Sequence, residues 1–207
     1  MTAVARRERK KSALRDHLIS IAIELFGRNG IEATTIEQIA SAADIGKGTL
    51  YNYFQSKEEI IVAFLAGIER QVQEELHHFD AFEGDVDDIL SEFILFQFRL
   101  KEPHHRFVKV FLGQMFAHPE HLFPYLVEMQ KSVDPPLEFL FRALGERGLI
   151  RQDLDPPDLV LAFKTVQMGL TGLWAMEGPP FAQTARLTRL EMKIFSEGLK
   201  AGEAYEV

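Results

Sequence analysis

The residues with the most pointed chemistry lie close together, between Thr34 and Lys57, in the stretch TTIEQIASAADIGKGTLYNYFQSK. Lys47 and Lys57 can neutralise phosphates, and the hydroxyls of Tyr51 and Tyr53 can hydrogen-bond phosphate oxygens without adding charge. Thr49 and Asn52 have the short polar side chains that reach base edges, and Thr34 and Thr35 add hydroxyls at the start of the stretch. Gly46 and Gly48 leave the backbone bare, so its N–H groups can come close to a phosphate chain. This is the chemistry of holding a polyanion, not of making or breaking bonds.

Two short helices and a tight turn would position these groups. Ile36, Ile39, Ala40 and Ala43 fall at i, i+3, i+4 and i+7, which makes one inward stripe on the first helix. Thr35 and Gln38 have the spacing of a capping box that fixes where it begins. The turn follows at Ala43, Asp44 and Ile45, with Asp44 suited to a left-handed backbone. The second helix opens at Gly46, Lys47 and Gly48. Its inward residues are Leu50 and Phe54, and its outward face carries Lys47, Thr49, Tyr51, Asn52 and Tyr53. A helix-turn-helix of this kind exposes its second helix to the major groove of DNA.

The pattern IxxIAxxADIGKGTLYNYFxSKEE resembles the DNA-binding signature of TetR/AcrR-type transcriptional regulators. It departs from that signature at Gly46, where Ser is expected and would offer a phosphate contact, and at Asp44, where Gly is usual. The resemblance implies an all-α chain with an N-terminal three-helix DNA-binding domain and a variable C-terminal helical domain that binds a ligand and dimerises. The division is expected at residues 1–57 and 58–207.

Composition bounds the alternatives. The chain has 207 residues, 46% of them hydrophobic and 26% charged, which is ordinary for a soluble globular protein. With no cysteine, disulfides, thiolate metal sites and cysteine nucleophiles are excluded. The N-terminus lacks the apolar core of a secretory signal and no uncharged run is long enough to span a membrane, so a cytoplasmic location is expected. The net charge of −8 is unevenly spread: residues 1–57 hold nine Lys/Arg against six Asp/Glu, whereas the remainder holds fourteen against twenty-five. Only the first part suits DNA. Its leading segment, with Arg6, Arg7, Arg9, Lys10 and Lys11 against Glu8, reads as a mobile arm, either a solvated tail or a DNA contact.

Further on, Leu14, Leu18, Ile21, Ala22, Leu25 and Phe26 stripe a bracing helix that ends at Gly30. Ser56 and Glu59 form a second capping box, opening a long helix towards Phe79 that couples DNA to the rest of the molecule. Prolines and glycines then predict helices over 85–101, 104–117, 119–132, 136–147, 156–176 and 182–200, with Asp134 and Asp155 as N-caps. In the last two, Val166, Leu170, Leu173, Leu187, Leu190 and Ile194 suit a homodimer interface, a four-helix bundle with the partner copy being what the resemblance implies. An inverted-repeat DNA operator follows from such a two-fold axis.

The chain has seventeen Phe, many of them in the middle helices. Phe93, Phe96, Phe107, Phe111, Met115, Phe139, Phe163 and Met168 could line a pocket for a hydrophobic or aromatic effector or make an ordinary core. Composition leaves these even, and the resemblance favours the pocket. His104, His105, His118 and His121 lack an HExxH pattern or a matched carboxylate set, so surface or capping roles are expected, with no metal and no cofactor. No catalytic constellation is present, so an enzyme is not expected. The leading reading is a ligand-released repressor. The alternatives are a DNA-binding protein whose C-terminal domain docks a protein, and a helical enzyme or lipid-binding protein.

Overall fold

The computed structural model describes residues 3–79 and 84–200; the side chains of 3–4, 76–79, 121–126 and 128–133 lie outside the description. The chain is all-α, with no strand among the described residues. It divides into two compact units, Met1–Gly67 with His104–Leu126, and Ile68–Pro103 with Val127–Val207.

The N-terminal unit is built from α1 (Ala3–Asn29), α2 (Ile36–Ala42), α3 (Lys47–Tyr51), the first turns of α4 (Lys57–Phe79) and α6 (His105–Ala117). Leu18, Ala22, Ile23 and Phe26 of α1 meet Ile39 and Ala40 of α2, Leu50 of α3 and Phe54 in a core with almost no solvent exposure. Contrary to a mobile arm, α1 reaches back to Ala3. Ala, Arg, Lys and Glu are strong helix formers, and neither Gly nor Pro interrupts the segment before Gly27. Gly30 ends the helix with φ +92°, which favours glycine.

A glycine inside α1 has a different task. A Cβ on Gly27 would lie 2.9 Å from the backbone nitrogen of Phe107, so this glycine admits α6 against α1. Phe107 then stands with its ring centre 6.3 Å from Phe26, 5.3 Å from Phe64 and 5.8 Å from Phe111. Gln114 Nε2 donates to Glu32 Oε1 at 2.9 Å within the same unit.

The C-terminal unit holds the rest of α4, α5 (Val86–Lys101), most of α7 (Pro119–Glu146), α8 (Pro156–Glu177) and α9 (Ala182–Leu199). A 3-10 turn at Glu102–His104 precedes α6. Phe163 is fully buried, with ring centres 5.9 Å from Phe93, 5.8 Å from Phe141 and 6.1 Å from Phe195. A stacked column of Phe98, Trp174 and Phe181 closes the corner between α8 and α9, where Phe181 adopts a left-handed φ of 57°. The Glu177 carboxylate caps α9 by accepting from the backbone N–H groups of Gln183 at 2.8 Å and Thr184 at 2.7 Å; with the Thr184 hydroxyl, these bonds hold it below the ordinary carboxylate range.

One boundary expectation and two details of capping are corrected. The two helices expected over 119–132 and 136–147 are one helix, which runs through Pro135 and Pro136. Asp134, expected to cap a fresh start, instead accepts a 2.6 Å ion-pair bond from Lys164, and Leu137, Leu140, Phe141 and Leu144 keep one buried stripe in register. Asp155 stands at the N-cap of α8, before Pro156, as expected, but its side chain makes no capping hydrogen bond. Its carbonyl accepts from the N–H groups of Asp158 and Leu159. At α4, Ser56 Oγ accepts from the Glu59 N–H at 3.2 Å, but the Glu59 carboxylate reaches back to Gln55 N at 2.6 Å, one residue before the N-cap.

Candidate nucleic-acid interface

Local sequence sets the geometry of the interface. Thr35 and Gln38 exchange both bonds of the capping box, at 2.9 and 3.2 Å, and fix the start of α2. Asp44 takes the left-handed turn with φ 52°, which its short polar side chain tolerates. Its N–H bonds to Ser41 O while that of Ile45 bonds to Ala40 O, closing the α2–α3 corner. Leu50 and Phe54 anchor the next segment with 0% and 1% exposure.

That anchoring turns Gly46, Lys47, Gly48, Thr49, Tyr51 and Asn52 outward, with Tyr53 half-buried beside them. Neither glycine is demanded by packing. A Cβ on Gly48 would meet nothing within 4 Å, and one on Gly46 only the Thr49 hydroxyl at 3.9 Å. Lys47 pairs with the Glu37 carboxylate and lies 5.7 Å from the Tyr51 ring centre. The pairing lifts the Lys47 ammonium above its usual range and lowers Glu37, and both groups are open to solvent. A phosphate can compete for such an ammonium, because an exposed pair is weak.

Two expected contacts are reassigned by their surroundings. Thr34 is fully buried, and its hydroxyl donates to Gly30 O at 2.7 Å, which ties the α1–α2 loop and removes the side chain from a DNA-facing surface. Lys57 Nζ donates to the carbonyls of Ile31 at 2.7 Å, Thr34 at 3.1 Å and Glu32 at 3.2 Å. Three carbonyls use all the donors of an ammonium, so Lys57 clamps the loop instead of waiting for a phosphate. Thr35 is exposed, with its hydroxyl oxygen engaged by the cap.

The expected effector residues are not gathered round one described cavity. Phe107, Phe111 and Met115 belong to the N-terminal unit and are buried there, whereas Phe93, Phe96, Phe139, Phe163 and Met168 belong to the other. Phe93 and Phe163 pack ring against ring, Phe96 is half-buried, and Phe139 is 55% exposed. Met168 lines a surface pocket of about 420 Å³ with Asp134, Val160, Leu161 and Lys164. The hydrophobic count could not distinguish these surroundings, because ring packing and helix rotation decide them.

Among the expected interface residues, Leu170 is only 2% exposed and fills its own core. Leu173, Leu190 and Ile194 are 42%, 45% and 60% exposed, and Val166 and Leu187 are half-buried. Leu161 and Met176 extend this outward face of α8. His104 sits with its ring centre 4.8 Å from Phe64, and burial holds its imidazole below the ordinary range. His118 lies 3.6 Å from Glu120. The His121 side chain lies outside the described residues, among which no group of three or more His, Cys, Asp and Glu could hold a metal.

Sequence reasoning missed a charged group in the C-terminal unit. The Lys101 stem is only half-buried but its ammonium is enclosed, and burial lowers it to about 8. Burial raises Glu69, whose Oε1 has no hydrogen-bond partner among the described residues. Two charges 32 positions apart on helices of ordinary composition give no local signal.

Comparison with known proteins agrees with the geometry. The family described as bacterial regulatory proteins, tetR family, matches residues 18–64. The transcriptional repressor KstR2 of Rhodococcus jostii is 28% identical over 159 residues, 74% of each chain. The structure of the fatty acid degradation regulator FadR from Bacillus halodurans superposes with a TM-score of 0.76 at 19% identity, covering 91% of this chain and 97% of that one. FadR from Bacillus subtilis, in complex with stearoyl-CoA, gives a TM-score of 0.73 at 20% identity over 88% and 97%. At such identities the two structures speak for the fold alone. Residues 18–64 are thus similar to the DNA-binding domain of the tetR family of bacterial regulatory proteins, and the chain is similar to a repressor named for that activity over about three quarters of its length.

Proposed function

We propose that the chain is a homodimeric transcriptional repressor that binds an operator with inverted half-sites and leaves it when an apolar small molecule binds. The observation that carries the DNA-binding part is the division of α3: Leu50 is buried without exposure, while Lys47, Gly48, Thr49, Tyr51 and Asn52 face outward. Lys47, Tyr51 and Tyr53 hold the phosphate backbone, Thr49 and Asn52 read bases, and Gly46 and Gly48 keep the approach open.

The outward face of α8 and α9 supports a second copy as partner. Helix α8 is long and apolar enough to cross a membrane by length and composition, yet only 33% of its most apolar window is buried. On α9, the exposed Leu190 and Ile194 alternate with Arg186, Arg189, Lys193 and Glu197, which suits a protein partner with a polar rim better than lipid.

An apolar effector is supported by the Phe-rich C-terminal unit and by the stearoyl-CoA bound to the Bacillus subtilis regulator. Helix α4 is the chemical link. It starts at the Lys57 clamp, passes from one unit to the other at Gly67, and carries Glu69 beyond. An effector that prefers one setting of α4 alters DNA affinity, and linkage requires operator DNA to weaken the effector by the same factor, typically worth about 1–3 kcal/mol.

The test is selection of duplexes from a random pool by the purified protein, followed by titration of the complex with stearoyl-CoA, shorter acyl-CoAs and free fatty acids. An inverted repeat should be enriched, and at least one ligand should bind more weakly when operator is present. No enriched motif overturns the repressor. Equal ligand affinities with and without operator overturn the induction.

A further inference from the structure

We propose that the C-terminal unit recognises one hydroxyl group on an otherwise apolar effector, with the Lys101 ammonium donating to the hydroxyl oxygen and Glu69 Oε1 accepting its hydrogen. The proposal rests on the reading of this unit as an effector domain and names the chemical class that the domain takes.

Four charged groups of this unit lie close enough to act on one another. Glu69 on α4 feels the charges of Lys101 on α5, Lys164 on α8 and Asp134 on α7. Two of the four satisfy each other. Lys164 Nζ donates to Asp134 Oδ1 at 2.6 Å, and the same pair lines the surface pocket of about 420 Å³, so the charged cluster extends to the protein surface. The other two are not satisfied. Glu69 Oε1 is buried without a hydrogen-bond partner among the described residues. An ammonium has three donors. Among the described residues, Lys101 Nζ makes one hydrogen bond, a 3.5 Å contact to Gln97 Oε1 at the outer limit for such a bond.

The surroundings of these two groups are apolar. Phe93, Gln97 and Lys101 fall at i, i+4 and i+8 on one side of α5, and Phe93 and Gln97 are buried. Glu69 stands in sequence between Ile68 and Val72, both buried. The Phe93 ring centre lies 5.9 Å from that of Phe163, the residue before Lys164. Polar groups in such a setting destabilise a protein unless they are hydrogen-bonded. Burial accordingly lowers Lys101 and raises Glu69, each towards its uncharged form. Apolar walls with a few placed polar groups are the composition of a small-molecule site.

The two unsatisfied groups select what can fill it. A carboxylate would serve Lys101 but would bring a second negative charge beside Glu69 and leave Oε1 without a donor. An alkylammonium would serve Glu69 and be repelled by Lys101. An ether oxygen accepts and cannot donate. A hydroxyl does both, and it adds no charge to a cluster in which Glu69 and Asp134 balance Lys101 and Lys164.

The test uses the full-length protein and two matched ligand sets, titrated by calorimetry at neutral pH: decan-1-ol, 1-methoxydecane and decanoate, and 2-naphthol, 2-methoxynaphthalene and 2-naphthoate. In at least one set the alcohol should bind at least about tenfold more tightly than both the ether and the carboxylate, because only it pairs both buried groups. Glu69→Leu with Lys101→Met should bring alcohol and ether to equal affinity while the ether binds as well as before or better. A loss of fold would weaken both ligands and would not remove the preference between them. Equal affinities for alcohol and ether in the wild type, the result if a water bridges the two charges, would overturn the proposal and leave the effector reading standing. An alcohol preference that survives in the double variant would overturn it too. Tightest binding of a carboxylate would assign Lys101 to an anion instead. If neither set binds, the hydroxyl site is overturned; if stearoyl-CoA, shorter acyl-CoAs and free fatty acids fail as well, the effector reading falls with it.

Discussion

The N-terminal unit carries its proposed DNA-reading residues on the outside of a small, closed core, whereas the C-terminal unit encloses charged groups and leaves apolar side chains exposed. In the first, a buried Leu50 implies an exposed Thr49 and Asn52, because one helix rotation settles both. In the second, Leu170 is buried and Leu173, three positions on, is 42% exposed, although both looked alike as members of an apolar helix. A helix that is apolar all round does not say which face is core and which awaits a partner.

The sharpest break in this comparison should come from the outer face of α8 and α9. Leu190→Glu with Ile194→Glu places charges on side chains that one chain leaves exposed, so the protomer should stay folded while the dimer dissociates. Operator affinity should fall by more than about a hundredfold, since two half-sites no longer act together. Sedimentation and a gel-shift titration measure the two effects. A folded protein of unchanged mass would remove the interface.

The buried charges of the C-terminal unit offer the next largest effect. Replacing Glu69→Leu and Lys101→Met together should stabilise the protein by about 1–4 kcal/mol in urea unfolding, because two enclosed charges without close pairing are exchanged for apolar volume. The pH dependence has a defined sign. Between about 8 and 10.5, the unfolded chain still holds the Lys101 proton that the folded chain has released, so stability should rise with pH across that window. Glu69 acts at the acid end: its raised value gives stability that is fully present below the ordinary carboxylate range and disappears as pH rises through its folded value. The double variant should flatten both slopes.

Two glycines sharpen the comparison from the other side. Gly27→Ala forces a Cβ to within 2.9 Å of the Phe107 nitrogen, so α6 must shift, and a destabilisation of about 1–3 kcal/mol is expected from chemical denaturation. Gly48→Ala meets nothing, so stability should hold or rise by up to about 1 kcal/mol while operator affinity drops. Opposite signs in stability and binding would identify Gly48 as a position kept bare for DNA.

Legibility in the sequence followed the range of the interactions. The Thr35–Gln38 box, the left-handed Asp44 and the stops at Gly30, Gly148 and Gly178 are set by residues a few positions apart, and they stand where the pattern placed them. Pro135 and Pro136 misled, because the Asp134 carboxylate is held by Lys164 on another helix. Lys57 misled for the same reason: its three carbonyl acceptors lie 23 to 26 positions earlier. Gly27 was silent in the sequence, since only the approach of α6 shows why a side chain there would collide.

The central claim, that α3 reads DNA with its outward face, is tested most directly by repeating the duplex selection with Asn52→Ala and Lys47→Ala beside the wild type. Asn52→Ala should change the enriched base at one position of each half-site, with discrimination there reduced by about 1–3 kcal/mol. Lys47→Ala should leave the enriched sequence intact and weaken binding to all duplexes, with a salt slope lower by about one. Identical enriched sequences, slopes and affinities for all three proteins would contradict the account.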